Sequence, residues 1–237
     1  MSFNKLQVFA LIPARKNSTG LKDKNLYKVN DKNLIDFTIE AAINSSFIDQ
    51  IFISSDSNEI LNHALKFEKT SVIKRPKKYS NNHSKAVDVV NHFLKKAVKF
   101  ERENDFFIIY LQPTSPLRDS NHIDQSFKLM KRKKKNTLIS LVENNFSPFK
   151  SFIVNNNEFV ESLFDQSLSN LNRQDLPKTY RANGSIYIFR ASDFLKINGF
   201  PSNNSAPFIM GEEESLDIDS LKEIEQLRLI LDKRQEI

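Results

Sequence analysis

"VFALIPARKNSTGLKDKNL", residues 8–26, is the stretch from which the rest of the chain is read. It opens on a continuous apolar run, the pattern of a strand covered on both faces rather than on one. The run stops at Pro13. A cationic loop follows, with Arg15, Lys16, Lys22 and Lys24 placed around Gly20, one of only four glycines in the chain. A buried strand that empties into a polar, glycine-containing loop suits an α/β domain, in which ligands collect beyond the carboxyl ends of the strands.

Working outward, the pattern alternates. "NLIDFTIEAAINSS" has helical spacing, "QIFISSD" reads as a strand, and "SNEILNHALKF" as a helix with Ser57 as its N-cap. "SVIKRP" is a short strand. "SKAVDVVNHFLKKAVKF" is the clearest helix, its Ala86, Val89, Val90, Phe93, Leu94, Ala97 and Val98 recurring every three or four residues. "DFFIIYLQPTSP" is a strand ending in a turn, "SNHIDQSFKLMKR" a helix and "TLISLVE" a strand. Strand and helix alternating over roughly 140 residues predict right-handed βαβ units and a parallel sheet. The alternation is then interrupted. "SFIVNNNEFVESLF" reads as a hairpin closed by an Asn-rich turn, "YRANGSIYIF" as loop then strand, and "ASDFLKI" as a helix. The last helix, "SLKEIEQLRLILDK", carries Leu221, Ile224, Leu227 and Leu231 on one face and follows the acidic "GEEESLDID".

Composition bounds the answer. The chain has 237 residues, 39% hydrophobic and 27% charged, which fits one α/β domain with a small appendage. There is no cysteine, so disulfides and thiolate metal sites are excluded. The N-terminal apolar run is too short for a signal peptide, and no stretch approaches a membrane span. A cytoplasmic protein without a membrane partner is expected. The net charge is +6, and its densest run is Lys131 to Lys135. No aromatic residues interleave with that run, as single-strand binding requires, so it reads as a solvated helix end and no nucleic-acid partner is expected.

Several loops carry chemistry. Backbone N–H groups around Gly20 can form an anion nest, Arg15 can bridge two phosphate oxygens, and Lys24 adds a point charge. A solvated surface loop would have the same composition. In "LQPTSPLR", residues 111–118, two prolines hold Gln112, Thr114 and Ser115 in place, or simply make a rigid turn. "LDIDS" sets Asp217 and Asp219 two apart, so in extended backbone both carboxylates share a face. A magnesium ion bound together with substrate phosphate would offset their repulsion. The alternative is helix-terminal acid, with Asp219 or Ser220 as a cap. Lys150 lies near the hairpin, and Arg173 and Arg181 lie near Gly184, where an anion would suit them.

Taken in order, "PARKNSTGLKDKNL", "ISSDS", "RPKKYS" with "DVVNH", "LQPTSPLR", "NRQDLPKTYRANGSIYIF" and "SLDIDS" resemble the CMP-sialic acid synthetase family, the cytidylyltransferases that activate nine-carbon acidic sugars, including the legionaminate and pseudaminate enzymes. The resemblance spans nearly the whole chain. It implies a Rossmann-like, three-layer nucleotidyltransferase fold with a mostly parallel sheet and a β-hairpin dimerisation insertion at about residues 143–180, within one domain covering residues 1–237. It implies that CTP and a 2-keto acidic sugar yield a CMP-sugar and pyrophosphate, with Mg²⁺, in a homodimer. By position, Arg15, Lys24, Asp217 and Asp219 would be catalytic. Arg15, Ser18, Gly20, Lys24, Asn25 and Arg75 would hold CTP. Gln112, Thr114, Ser115, Lys150, Arg173 and Asn183 would hold the sugar, and Asp217 and Asp219 the metal. Thr19, Asn82 and Ala86 depart from the family pattern, which usually has a cation, often an aspartate, and a small hydroxyl residue there. The nearest rival is the related enzyme for the eight-carbon acid of lipopolysaccharide cores. A non-catalytic nucleotide- or RNA-binding protein is a further alternative, and the paired carboxylates beside the cationic loop argue against it.

Overall fold

Residues 8–13 do form a strand buried on both faces. In the structure, a computed structural model, residues 6–16, 20–81, 83–96, 105–200 and 202–235 are described. Ser18, Thr19, Asn82, Ala97 and Val98, singled out above, lie outside them. Along the chain run β1 (Val8–Pro13), a small hairpin of β2 (Lys28–Val29) and β3 (Lys32–Asn33), α1 (Leu34–Ile43), β4 (Gln50–Ser55), α2 (Asn58–Ala64), β5 (Thr70–Lys74), α3 (Ala86–Lys96), β6 (Phe107–Tyr110), α4 (Ser120–Arg132), β7 (Thr137–Glu143), a second hairpin of β8 (Phe152–Val154) and β9 (Val160–Ser162), α5 (Gln166–Ser169), β10 (Tyr180–Arg190), α6 (Ala191–Ile197), β11 (Ala206–Ile209) and α7 (Leu221–Gln235).

Seven strands make one sheet in the order β11-β7-β10-β6-β1-β4-β5. β10 pairs antiparallel with both β6 and β7, and every other pairing in this sheet is parallel. Alternate residues of β1 feed opposite cores. Val8, Ala10 and Ile12 pack with Ile35 and Ile39 of α1 and Ile123 and Phe127 of α4, whereas Phe9 and Leu11 pack with Val90 and Phe93 of α3 and Phe194 of α6. This two-sided burial explains why β1 shows no apolar–polar alternation. The result is three layers, with helices on both faces of a mostly parallel sheet. From β1 the chain steps outward through β4 and β5, then returns to β6 on the other side of β1. The carboxyl ends of β1 and β6 therefore sit together where the winding reverses, the place where open α/β sheets bind ligands.

Ser57 caps α2 as expected, its hydroxyl accepting from the Ile60 amide at 3.4 Å. The segment read as a loop at 180–184 is instead the start of β10. It pairs with β7 through Ala182, and the register breaks between Ala182 and Tyr187. That interruption, with Gly184 at φ 75°, is what gave the sequence its loop-like composition. β11 was not read from the sequence because it is a four-residue strand containing Pro207 and is paired only with β7. In α7, Ile224 and Leu227 are buried and Leu231 partly so, packing with Leu21 and Val29, but Leu221 is exposed. The β8–β9 hairpin leaves Val154, Phe159 and Val160 each more than two-thirds exposed. Among the described residues no helix is long and apolar enough to cross a membrane.

Candidate active site

The cationic loop after β1 is fastened to the acidic segment before α7. The Asn25 amide donates to the Arg15 carbonyl at 2.8 Å, closing the loop on itself. The buried Lys24 ammonium donates to the Ile218 carbonyl at 2.6 Å and to the Asp219 carboxylate at 2.9 Å. Gly20 rests on the same segment, so closely that an added Cβ would come within 2.1 Å of the Asp219 carbonyl oxygen. Here glycine serves close backbone approach. Packing of α7 against Leu21 and Val29 holds the two segments together.

An open cleft of about 340 Å³ lies at the junction, lined by Arg15, Lys24, Asn25, Arg75, Gln112, Thr114, Asp217 and Asp219, among others. All eight come from four separate loops and were singled out on sequence motifs; topology alone makes them neighbours. The Arg15 guanidinium bridges to the far wall, donating to the Asn81 carbonyl at 3.2 Å. That wall also carries Tyr79, Ala86, Val89 and Tyr110. Arg75 is 5% exposed, and among the described residues its Nε and Nη2 have no acceptor. Burial lowers its pKa, with the neighbouring Arg15 charge adding to the effect, and Tyr110 and Asp56 opposing it. Buried donors without acceptors are costly unless something supplies them. Arg75 lines the cleft, where a ligand bearing carbonyl or ring-nitrogen acceptors would suit its cationic side chain.

The two aspartates are released from capping duty. Ser220 caps α7, its hydroxyl accepting from the Lys222 amide at 3.3 Å, and the Glu223 carboxylate reaches back to the Ser220 amide at 2.7 Å. This reciprocal arrangement satisfies the helix end without Asp217 or Asp219. The Asp217 pKa is raised, by partial burial first and then by the Asp219 and Glu223 charges, against the Thr114 hydroxyl and Lys24. Asp219 keeps its side chain largely in solvent while paired with Lys24. No group of three or more His, Cys, Asp or Glu residues forms a metal cage among the described residues. Asp217 and Asp219, with the Lys24 charge offsetting part of their repulsion, make a carboxylate pair that fits Mg²⁺, which takes one or two carboxylates and completes its shell with water and phosphate oxygens.

A smaller cleft adjoins the first at Asp217 and is lined by Arg181, Asn183, Gly184, Tyr187 and Ser215. Gly184 makes room for Gln112, whose Oε1 would be 2.7 Å from a Cβ at that position. The Asn183 side chain is buried and committed to protein contacts, accepting from Ser140 at 2.6 Å and donating to Ser215 at 2.9 Å. Ser115 is buried beneath the turn, with no partner for its hydroxyl among the described residues. Lys150 and Arg173 lie in neither cleft. Both are exposed near the hairpin, and Arg173 donates to the Asn145 carbonyl at 2.6 Å. Tyr79, Tyr110 and Tyr187 were not singled out from the sequence and Val89 was read only as helix core, because apolar and aromatic residues on such elements look like ordinary core.

A family model described as cytidylyltransferase matches residues 9–237. The chain belongs to the cytidylyltransferase family. It is 30% identical over 228 residues to the N-acylneuraminate cytidylyltransferase of Escherichia coli O18:K1:H7, covering 96% of this chain and 53% of that protein. The chain thus spans about half the length of that relative. It is 30% identical to the CMP-N,N'-diacetyllegionaminic acid synthase of Campylobacter jejuni, with 90% of each chain covered. It is 26% identical to the pseudaminic acid cytidylyltransferase of the same species, covering 93% of this chain and 94% of that one. The fold resembles that of a solved CMP:2-keto-3-deoxy-manno-octonic acid synthetase complexed with CTP, with a TM-score of 0.68 at 16% identity over 96% of this chain and 99% of that one. These similarities agree with the family resemblance carried by the motifs and with the nucleotidyltransferase class expected from them.

Proposed function

We propose that this cytidylyltransferase joins CMP from CTP to a nine-carbon 2-keto acidic sugar and releases pyrophosphate. The observation that carries the reading is the charged cleft at the sheet's switch point, where Arg75 with its unsatisfied donors, the cations Arg15 and Lys24, and the carboxylates Asp217 and Asp219 line one space. The nucleobase is assigned to Arg75, Tyr79 and Tyr110, and the triphosphate to Arg15 and Lys24. The acid sugar is assigned to the adjoining cleft beside Gln112, Arg181 and Tyr187. The sugar hydroxyl then attacks the α-phosphorus, the bond to the β-phosphate breaks, and the hydroxyl proton leaves to solvent. The chain's part is to align the reactants and neutralise charge, worth many orders of magnitude when geometry is held. Asp217 and Asp219 would hold Mg²⁺, which supplies charge stabilisation on the phosphates when bound.

The exposed apolar hairpin supports a homodimer, and action in the cytoplasm is proposed with it. Residues 143–180 serve in this reading as the dimerisation insertion, and Lys150 and Arg173 reach a neighbouring subunit's cleft rather than their own. The RNA-binding alternative loses support because Lys131, which opens the basic run, lies with its ammonium 4.2 Å from the Phe107 ring centroid, on α4 rather than in the cleft.

The deciding experiment supplies CTP and Mg²⁺ with sialic, legionaminic and pseudaminic acids and with the eight-carbon acid, reading pyrophosphate release and CMP-sugar. Activity with one of the nine-carbon acids is expected. A preference for the eight-carbon acid would move the chain to the related branch, and no product from any acid would overturn the reading.

A further inference from the structure

We infer that Arg118 is a positioning residue: from outside both clefts, its buried guanidinium ties the turn at 112–115 to the interrupted segment of β10 and to α1, and so sets where Gln112 and Thr114 stand relative to Asp217. The inference rests on the reaction proposed above. Arg118 is the largest fully buried side chain described, at 1% exposure. Its Nη1 donates to the Gln112 carbonyl and to the Ser185 carbonyl, each at 3.2 Å, and its Nη2 to the Thr38 hydroxyl at 2.6 Å. Nε has no partner, and no carboxylate pairs with the guanidinium among the described residues. Burial pushes its pKa down to about 9 against the weak pull of Asp119. A buried charge without a counter-ion is expensive, and an apolar side chain of similar length would fill the space at lower cost. What the guanidinium adds is a rigid fork linking three elements, which neither an apolar chain nor a lysine point charge reproduces.

The contacts continue from that fork to the acid pair. The Gln112 carbonyl is on Arg118, and the Gln112 amide sits over Gly184 in the space left by a missing Cβ. Two residues on, the Thr114 backbone carbonyl accepts at 2.8 Å from the amide of Ile218, the residue next to Asp217. Tilting the turn would therefore move the carboxylate and the edge of the adjoining cleft together. Arg75 and Tyr79 follow β5 and would stay in place, as would Tyr110, which is fixed in β6 by its pairing with β1 and β10.

The test uses Arg118→Met and Thr38→Val; the second removes one tie from a helix that lines neither cleft. CTP affinity by calorimetry is expected to hold within about 3-fold in both, while kcat/KM for the acid sugar falls by about tenfold or more in Arg118→Met and by a smaller factor in Thr38→Val. Amide exchange at Ile218 is expected to quicken about tenfold in Arg118→Met, while the Ala14 amide, which donates to Ser54, keeps its protection. Equal losses for CTP and acid would show a merely structural role. Wild-type kcat/KM and unchanged Ile218 exchange would overturn the inference. If Arg118→Met does not fold, Thr38→Val decides by the same readouts. If the wild type makes no CMP-sugar from any acid, the functional reading fails, and Ile218 exchange still decides whether Arg118 holds the turn.

Discussion

Asp217 is where the chemistry of single residues is most exposed to test. Its carboxylate is held above the usual carboxylate range chiefly by burial, with the Asp219 charge beside it. A raised folded-state pKa means that the native state binds the proton more tightly than the unfolded chain does. Ionised Asp217 therefore costs stability, and the cost grows as pH rises from its unfolded pKa through the raised one. Asp217→Asn removes that cost. The variant should melt above wild type near neutral pH, and the gap should close on acidification to the ordinary carboxylate range. Thermal melts of both proteins across pH, without added metal, measure it; a variant that melts below wild type at neutral pH would show that the carboxylate is a net support. With magnesium the order of merit reverses for function: the more stable variant should turn over far more slowly, because the phosphates lose a charge partner. Lys24 shows the same economy, its ammonium joining loop, backbone and acid while still lining the cleft.

The β8–β9 hairpin raises a different question at the scale of elements. Its strands have three residues each, too short for an isolated two-stranded unit to be stable in water. Yet Val154, Phe159 and Val160 face solvent, together with Phe146, Leu163 and Phe164 nearby. So many exposed apolar side chains within one short segment suit an interaction surface, and a second copy of the chain is the partner proposed. Removing residues 154–160 should shift the protein toward monomer and lower its activity, since Lys150 and Arg173 sit at the hairpin and outside their own subunit's clefts. Light scattering beside the pyrophosphate assay checks both parts. A fully active monomer would refute the cross-subunit role, leaving the hairpin as an appendage.

For the whole molecule, the cleft draws its walls from the ends of β1 and β6, from the segment after β5, and from the approach to α7, so a ligand in it clamps distant parts of the chain to one another. Binding to the folded state alone should then raise global stability. At CTP about 100-fold above its dissociation constant, with magnesium, the gain is about 2.7 kcal/mol, which for a chain of this size corresponds to roughly 5–11 °C in melting temperature. Differential scanning fluorimetry with CTP checks it. Arg75→Met should abolish most of the shift, because that side chain's buried donors are the ones left without acceptors. An undiminished shift in that variant would move the nucleobase away from Arg75.

Strand and helix identity were written locally. The apolar run of β1, the helical spacing of α3 with Val89, Val90, Phe93 and Leu94 buried, and the Asn-rich turn between β8 and β9 are properties of neighbouring residues, and the structure contains each of them. The same holds for the loops that end β1 and β6, because cations beside glycine and hydroxyls between prolines are unusual enough to stand out. What the sequence could not show is which groups meet. The Lys24–Asp219 pair joins residues 195 apart in the chain. Ser220 rather than Asp219 caps α7, a choice made by the geometry of one helical turn. Asn183 is spent on Ser140 and Ser215, and Arg118, which reads as the tail of a turn, is buried as the tie between three elements. Local patterning determined the elements and the chemistry available; the crossover from β5 back to β6 decided which of those groups share a cleft, because only long-range packing brings distant loops to one edge of a sheet.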